Sequence, residues 1–356
     1  MSHKILIINP FGIGDVLFTT PLISNIKFHW PQSFIGYLAN RRTSEFLVRY
    51  PKVDKVFVYE RDEYHHLYKR SKPAFFKQFS EILADIKKER FDAVLDLSLN
   101  GNASFLMWLV GIKTRIGFNY KNRSPFLTTK IPLNGYEGRH VVEYYLSVLK
   151  EWGLSPTINQ LEFPLRAEDH QWVDQMFLKE GISSRDLVVG VVPGGGASWG
   201  KDAVYKQWPA EKYAKLVDKI IEKLSTKIIL MGDQKDRELC RRIQGLLKAP
   251  CLDLTGKTSL HQFAALLKRC VANVVNDGGP LHVAVAAGCK TVSIFGPVDE
   301  RVYGPYPPDP QNHAVVKKNL VCRPCYRRFR RAQCNHISCL NSIEVEDVLR
   351  KVEELL

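Results

Sequence analysis

Asp15, Lys206, Asp277 and His282 are the residues whose types and placement suit chemistry, because each belongs to a glycine-rich turn that follows a short apolar run. Asp15 closes Gly12-Ile13-Gly14-Asp15 after Ile5-Leu6-Ile7-Ile8. A carboxylate at a helix N-terminus is favoured in its ionised form and can take a proton from an attacking hydroxyl; the same Asp also serves as a plain helix cap. After Val188–Val192, the turn Gly194-Gly195-Gly196 would present backbone N–H groups to an anion. Ser198 would add a hydroxyl donor and Lys206 a point charge for a diphosphate leaving group. The other reading is a surface loop with a solvated lysine. Asp277-Gly278-Gly279-Pro280-Leu281-His282 joins a third apolar run to a helix. Its first turn can hold phosphate oxygens, with His282 donating to the same group; the alternative is a core histidine with an Asp cap.

Two further segments fit a nucleotide. In Gly232-Asp233-Gln234-Lys235-Asp236, a carboxylate just beyond a strand suits ribose hydroxyls, with Asp236 and Asp233 as candidates, or caps the next helix. Thr258, in Thr258-Ser259-Leu260, lines a base pocket or belongs to a helix cap. Two familiar fingerprints are absent. Leu17 stands where a dinucleotide motif needs its third glycine, and no Gly-Lys-Ser/Thr follows the triple glycine as a Walker A motif requires.

Of eight cysteines, Cys240, Cys251, Cys270 and Cys289 are scattered and read as reduced, buried residues. Cys322, Cys325, Cys334 and Cys339 cluster. Four thiolates at that spacing suit a structural zinc or iron, with reduced thiols as the other reading. A catalytic metal is not expected, since four ligands would fill the coordination shell. Arg323, Arg327, Arg328, Arg330 and Arg331 interleave with the cluster and would meet phosphate or anionic lipid, or form a solvated basic loop.

Alternating elements must position these residues. Strands are expected at 4–9, 34–39, 55–59, 93–97 and 112–117, with helices at 16–29, 75–90 and 139–152. Pro21 either kinks the first helix or opens its regular part. Residues 60–73 fit no periodic template and are expected to form a basic, aromatic loop. A register change near 153–170 marks a domain boundary. Beyond it, strands are expected at 187–192, 227–231, 273–276 and 291–295, helices at 210–224, 234–247, 259–269 and 281–287, a proline-rich loop at 297–311 and a final helix at 343–355. A chain of 356 residues suits two domains, and the alternation makes each α/β with a parallel sheet. A net charge of +14 favours polyanionic partners such as nucleic acid, phosphorylated glycolipid or an anionic membrane. No recognition helix or aromatic RNA-binding signature accompanies it, so nucleic acid is not expected. No run approaches the length of a membrane span and no signal peptide is apparent, so a cytoplasmic protein is expected.

The ordered set of segments resembles glycosyltransferase family 9, the ADP-heptose:lipopolysaccharide heptosyltransferases. It comprises Gly14-Asp15-Val16-Leu17, Arg115-Ile116-Gly117-Phe118, His140 with Glu143, Pro193-Gly194-Gly195-Gly196, Lys206-Gln207-Trp208-Pro209, Asn276 through His282, and Phe295-Gly296-Pro297. The resemblance runs over nearly the whole chain. It implies the GT-B fold, two Rossmann-like domains with parallel sheets facing a central cleft. Residues 1–165 would form the acceptor-binding domain and 166–342 the nucleotide-sugar domain, with 343–356 a C-terminal helix packing back on the first. It implies inverting transfer of a heptose from ADP-heptose to a lipopolysaccharide core sugar, without a catalytic cofactor. Asp15 would be the base, and Lys206, Asp277, Gly278, Gly279, His282 and Asp236 would serve the donor. Gly14, Arg61, Lys69, Arg70 and Arg115 are expected to meet the acceptor, at an anionic inner-membrane surface on the cytoplasmic side. The alternatives are the same fold with another nucleotide sugar, or a basic nucleic-acid-binding protein built around a four-cysteine metal site.

Overall fold

The computed structural model describes residues 3–356, except the side chains of Ala197, Ser198 and Lys201. The chain divides into two units, Met1–Gln160 and Leu161–Leu356. In the first, strands β1 (Lys4–Ile8), β2 (Phe34–Ala39), β3 (Lys55–Val58), β4 (Ala93–Asp96), β5 (Thr114–Tyr120) and β6 (Thr129–Leu133) form one sheet in the order β3-β2-β1-β4-β5-β6. All neighbours are parallel. Its helices are α1 (Ile13–Leu17), α2 (Thr20–His29), α3 (Arg41–Arg49), α4 (Arg61–Arg70), α5 (Lys72–Glu89), α6 (Gly101–Val110) and α7 (Val141–Lys150). The chain reverses its direction of winding between β1 and β4, and ligands of such sheets bind beyond the strand ends at that point.

The second unit repeats the plan. Strands β7 (Val188–Val192), β8 (Lys227–Leu230), β9 (Leu252–Asp253), β10 (Ala272–Asn276), β11 (Thr291–Ile294) and β12 (His313–Val316) pair in the order β12-β11-β10-β7-β8-β9, all parallel. The switch point lies between β7 and β10. A two-stranded antiparallel hairpin, β13 (Tyr326–Arg327) with β14 (Arg330–Arg331), follows. The helices are α8 (Ala167–Lys179), α9 (Ala210–Leu224), α10 (Arg237–Leu246), α11 (Leu260–Arg269), α12 (Gly279–Ala286), α13 (Glu300–Tyr303), α14 (Ser338–Asn341) and α15 (Val345–Leu355). Tight 3₁₀ turns occupy Ala197–Lys206 and Gln234–Asp236. Both sheets are covered on their two faces, so the central strands β4, β7 and β10 are buried throughout and mainly apolar, with Asp96 closing β4 and Asn273 and Asn276 the polar residues of β10.

Three expectations change. Residues 60–73 are no loop: α4 and the start of α5 fill them. Tyr64, Leu67 and Tyr68 sit at i, i+3 and i+4, Tyr64 is buried against Tyr59, Phe75 and Phe79, and Ser71 caps α5 by accepting from the Ala74 N–H. Acidic residues open α4 and Lys69 and Arg70 close it, which suits the helix dipole. The expected helix 16–29 is two, with Pro21 in the first turn of α2. A short helix, α13, interrupts the proline-rich loop. The terminal helix packs on the core of the second unit, to which it belongs. Val345, Val348, Leu349, Val352 and Leu355 join the same apolar cluster as Trp208, Leu216 and Ile220. Each such buried side chain contributes about 1.5–3 kcal/mol relative to exposure.

Candidate active site

In the second unit the glycine turns meet at the switch point. Asn276 ends β10 and ties them together: its side-chain amide donates to the Pro193 carbonyl at 2.6 Å and the Gly194 carbonyl at 3.3 Å, while its oxygen accepts from the Tyr213 hydroxyl at 2.9 Å. Gly196 has φ of +75°, a conformation that favours glycine. The turns are also pressed together, since a Cβ on Gly278 would lie 3.1 Å from the Gly195 carbonyl oxygen.

Lys206 is 6% exposed, and its Nζ stands 2.9 Å from Asp277 Oδ2, itself buried. The contact is ionic rather than a well-aligned hydrogen bond. The ammonium also lies 4.3 Å from the centre of the Trp199 ring. A buried cation is tolerated only when paired, and here one carboxylate and one aromatic face hold it beside two glycine turns. His282 is buried in the first turns of α12. The expected Lys206, Asp277, Gly194–Gly196, Gly278 and Gly279 therefore stand together at the strand ends.

Asp236 reaches the same edge. A Cβ on Gly194 would sit 2.4 Å from its carboxylate, and one on Gly232 2.7 Å from Oδ2, so the absence of side chains at both glycines makes its seat. Oδ2 also accepts from the Asp233 N–H at 3.0 Å. Burial, helped by the Asp233 charge, pushes the Asp236 carboxyl up to about 6. Asp233 is exposed and caps the 3₁₀ turn. Thr258 is half-buried beside Ser259, which is the residue that caps α11. The Ser198 side chain lies outside the described residues.

In the first unit, α1 begins after Gly12, which is its N-cap; Asp15 is in the first turn and is not the cap. The Asn9 amide donates to the Asp15 carbonyl at 3.1 Å and fixes the turn to the end of β1. Burial raises the Tyr37 and Tyr145 phenols far above their usual range, and the Asp15 charge adds to both. Gly14 is buried behind it. Across the switch point, Asp96 ends β4 in register with Ile8. Its Oδ1 accepts from the Ser98 N–H at 3.0 Å and the Ser98 hydroxyl at 2.6 Å. Burial pushes this carboxyl up to about 6 against those hydrogen bonds. Asp96 was not singled out in the sequence, where it reads as one polar residue closing an apolar strand.

Of the residues expected to meet an acceptor, Arg61, Lys69 and Arg70 are exposed on α4. Arg115 is different. Its guanidinium donates to the carbonyls of Phe126 (2.6 Å), Lys113 (2.9 Å) and Ile112, which makes it a tie between β5 and its flanking loops.

The four clustered cysteines line one cavity with His336. Among the described residues, however, no three His, Cys, Asp or Glu side chains stand at the spacing that holds an ion. Cys339 is buried at the edge of the apolar core of the second unit, while Cys322 is exposed. Burial, helped by proximity of the other thiols, raises Cys325 and Cys339. Three of the interleaved arginines, Arg323, Arg327 and Arg331, are engaged with the chain itself. Arg323 donates to the Val298 carbonyl and pairs with Glu300 at 2.9 Å. Arg331 lies 3.5 Å from the centre of the Tyr205 ring and 3.6 Å from Asp202. Tyr326 packs on Trp199, with ring centres 4.8 Å apart. The hairpin thus braces the 3₁₀ segment that carries Trp199 and Lys206, a role no sequence motif signals.

The model of glycosyltransferase family 9 (heptosyltransferase) matches residues 80–336. Lipopolysaccharide heptosyltransferase 2 of Escherichia coli K12 is 26% identical over 318 residues, covering 83% of each chain. Among solved structures, a family 9 glycosyl transferase from Veillonella parvula superposes with a TM-score of 0.82 at 22% identity, covering 100% of this chain and 98% of that one. The E. coli ADP-heptose lps heptosyltransferase II gives 0.77, also at 22% identity, covering 99% and 98%. These likenesses confirm the GT-B fold class, two Rossmann-like units. With the family model spanning most of its length, the chain belongs to glycosyltransferase family 9, the heptosyltransferases.

Proposed function

We propose that the protein transfers a heptose from ADP-heptose to a core sugar of lipopolysaccharide, with inversion at the anomeric carbon. The observation that carries this reading is the buried Lys206–Asp277 pair set against the two glycine turns at the second switch point. An ammonium has three N–H donors; Asp277 and the Trp199 ring occupy two, and a phosphate oxygen suits the third. Backbone N–H groups of the glycine turns, His282 and Lys206 meet the negative charge that grows on the departing diphosphate. Asp236, beyond β8, takes the ribose hydroxyls, and Thr258 borders the base. Asp15, at the first switch point, accepts the proton of the attacking acceptor hydroxyl. Arg61, Lys69 and Arg70 on α4 meet phosphate or carboxylate groups of the glycolipid. Cationic side chains and amides supply the leaving-group stabilisation, so this step needs no divalent metal. The relatives' names support the choice of donor and acceptor. A glycolipid acceptor also places the work at an anionic membrane surface, which the net charge of +14 suits.

Calorimetric titration with ADP, UDP, GDP and dTDP tests the donor. The reading expects ADP to bind tightest, and preference for a pyrimidine or guanine nucleotide overturns it.

A further inference from the structure

The first unit carries an apolar surface that the transfer chemistry does not use. Helix α6, Gly101–Val110, contains no charged residue and is apolar nearly all round. Such a helix is normally buried on every side. Here only one side is: Met107 and Ser104 are buried, and Leu106 and Val110 pack on the cluster of Leu6, Ile8, Val94 and Ile112. On the other side Phe105 is 37% exposed, Trp108 49% and Leu109 53%. Phe105, Trp108 and Phe126 form a ring cluster, with centres 4.9 Å, 5.3 Å and 6.0 Å apart. The three rings and Leu109 make one patch.

The stretch of chain that carries this patch has charge of a single sign. Between Asp96 and Glu137 the sequence has no Asp or Glu, while Lys113, Arg115, Lys121, Arg123 and Lys130 fall in that interval. Lys113 is exposed just past the C-terminal end of α6. Arg123 is exposed at the other end, its carbonyl packed against Gly101. A helix with exposed tryptophan, phenylalanine and leucine, a cation at each end and no acid of its own has the composition of a segment lying in a membrane interface. The aromatic rings would enter the headgroup region while the cations meet anionic phosphates.

We propose that the outer face of α6, with Phe126, is a docking surface for an anionic phospholipid bilayer. It rests on the glycolipid-acceptor reading for its purpose, but the binding itself requires neither donor nor turnover. The protein then lies with α6 parallel to the bilayer plane, held jointly by ring burial and by Lys113 and Arg123.

Co-sedimentation with vesicles of phosphatidylglycerol and phosphatidylethanolamine tests this, with phosphatidylcholine vesicles as comparison. The wild type should bind the anionic vesicles, bind the neutral ones at least about tenfold less, and release at 0.5 M salt. The double substitution Phe105→Ser/Trp108→Ser should lower the partition coefficient at least about tenfold. Lys113→Glu/Arg123→Glu should lower it similarly and remove most of its salt dependence. Both variants replace exposed side chains, and unchanged circular dichroism with unchanged ADP affinity shows that each remains folded. Absence of vesicle binding by the wild type, or equal binding by the variants, overturns the proposal. So does a wild-type dimer that Trp108→Ser converts to monomer, since a second copy would then cover the patch. Vesicle binding without ADP binding leaves this surface standing and removes the donor reading alone.

Discussion

The two switch points share one strand order but carry different ionisable groups. At the first, beyond β1 and β4, the ionisable groups are Asp15 in the first turn of α1 and the buried Asp96. At the second, beyond β7 and β10, a buried lysine sits among glycine amides with Asp277 as its counter-ion. The sheet therefore fixes where a site can form, and the loops after its central strands decide what that site does. A carboxylate in the first turn of a helix suits proton removal. A cation among backbone donors suits a departing diphosphate. Division of labour between the units is what this difference teaches.

The largest expected effect breaks the first half of the comparison. Asp15→Asn should lower the transfer rate by about 10²–10⁴-fold, measured as ADP release with saturating donor and acceptor. An Asn variant of near wild-type rate would remove Asp15 from the proton transfer.

The second half is probed more gently through its brace. Arg331→Ala removes the contact with Tyr205 and the pairing with Asp202 and loosens the segment bearing Trp199. The donor KM should rise about fivefold with little change in kcat. If kcat falls and KM holds, the hairpin is not positioning the donor site through this segment.

The smallest expected effect concerns Asp96, which distinguishes a buried acid from a working one. Its folded carboxyl is raised to about 6 from a usual value near 3.8. Between those pH values the folded state holds more protons than the unfolded, so this group makes stability fall as pH rises from about 4 to 6 and then stay level. Asp96→Asn removes the cost of the buried charge and still accepts from Ser98. Denaturant unfolding should show it more stable by about 1–3 kcal/mol at pH 7.5 and equal at pH 4. Equal stability at both pH values would mean that the carboxyl is not raised.

All strands of the two sheets but β6, β9 and β12 were legible, the central ones because fully covered parallel strands must be mainly apolar, as Val188–Val192 and Ala93–Leu95 are; β6 is a half-exposed edge strand. Helix α4 was not, because Tyr64, Leu67 and Tyr68 are its whole apolar stripe and charged residues surround them. The two residues of β9 and the four of β12 are too short to show a period. The glycine turns and their partners could be singled out by type. That Lys206 and Asp277 form a pair could not, since parallel pairing of β7 with β10 brings their segments together across a long stretch of chain. Asn276, Trp199 and Arg331 act only through such tertiary neighbours. The cysteine spacing likewise says nothing about Cys339 packing against the core.

The central claim is that the two units do separate jobs in one transfer, and ADP titration of two variants tests it most directly. Lys206→Gln keeps a donor for Asp277 while removing the charge, and Asp15→Asn leaves the second unit untouched. By calorimetry, Lys206→Gln should weaken ADP by about tenfold to a hundredfold, and Asp15→Asn should stay within a few-fold of wild type. Equal losses in both, or a loss only in Asp15→Asn, would contradict the account.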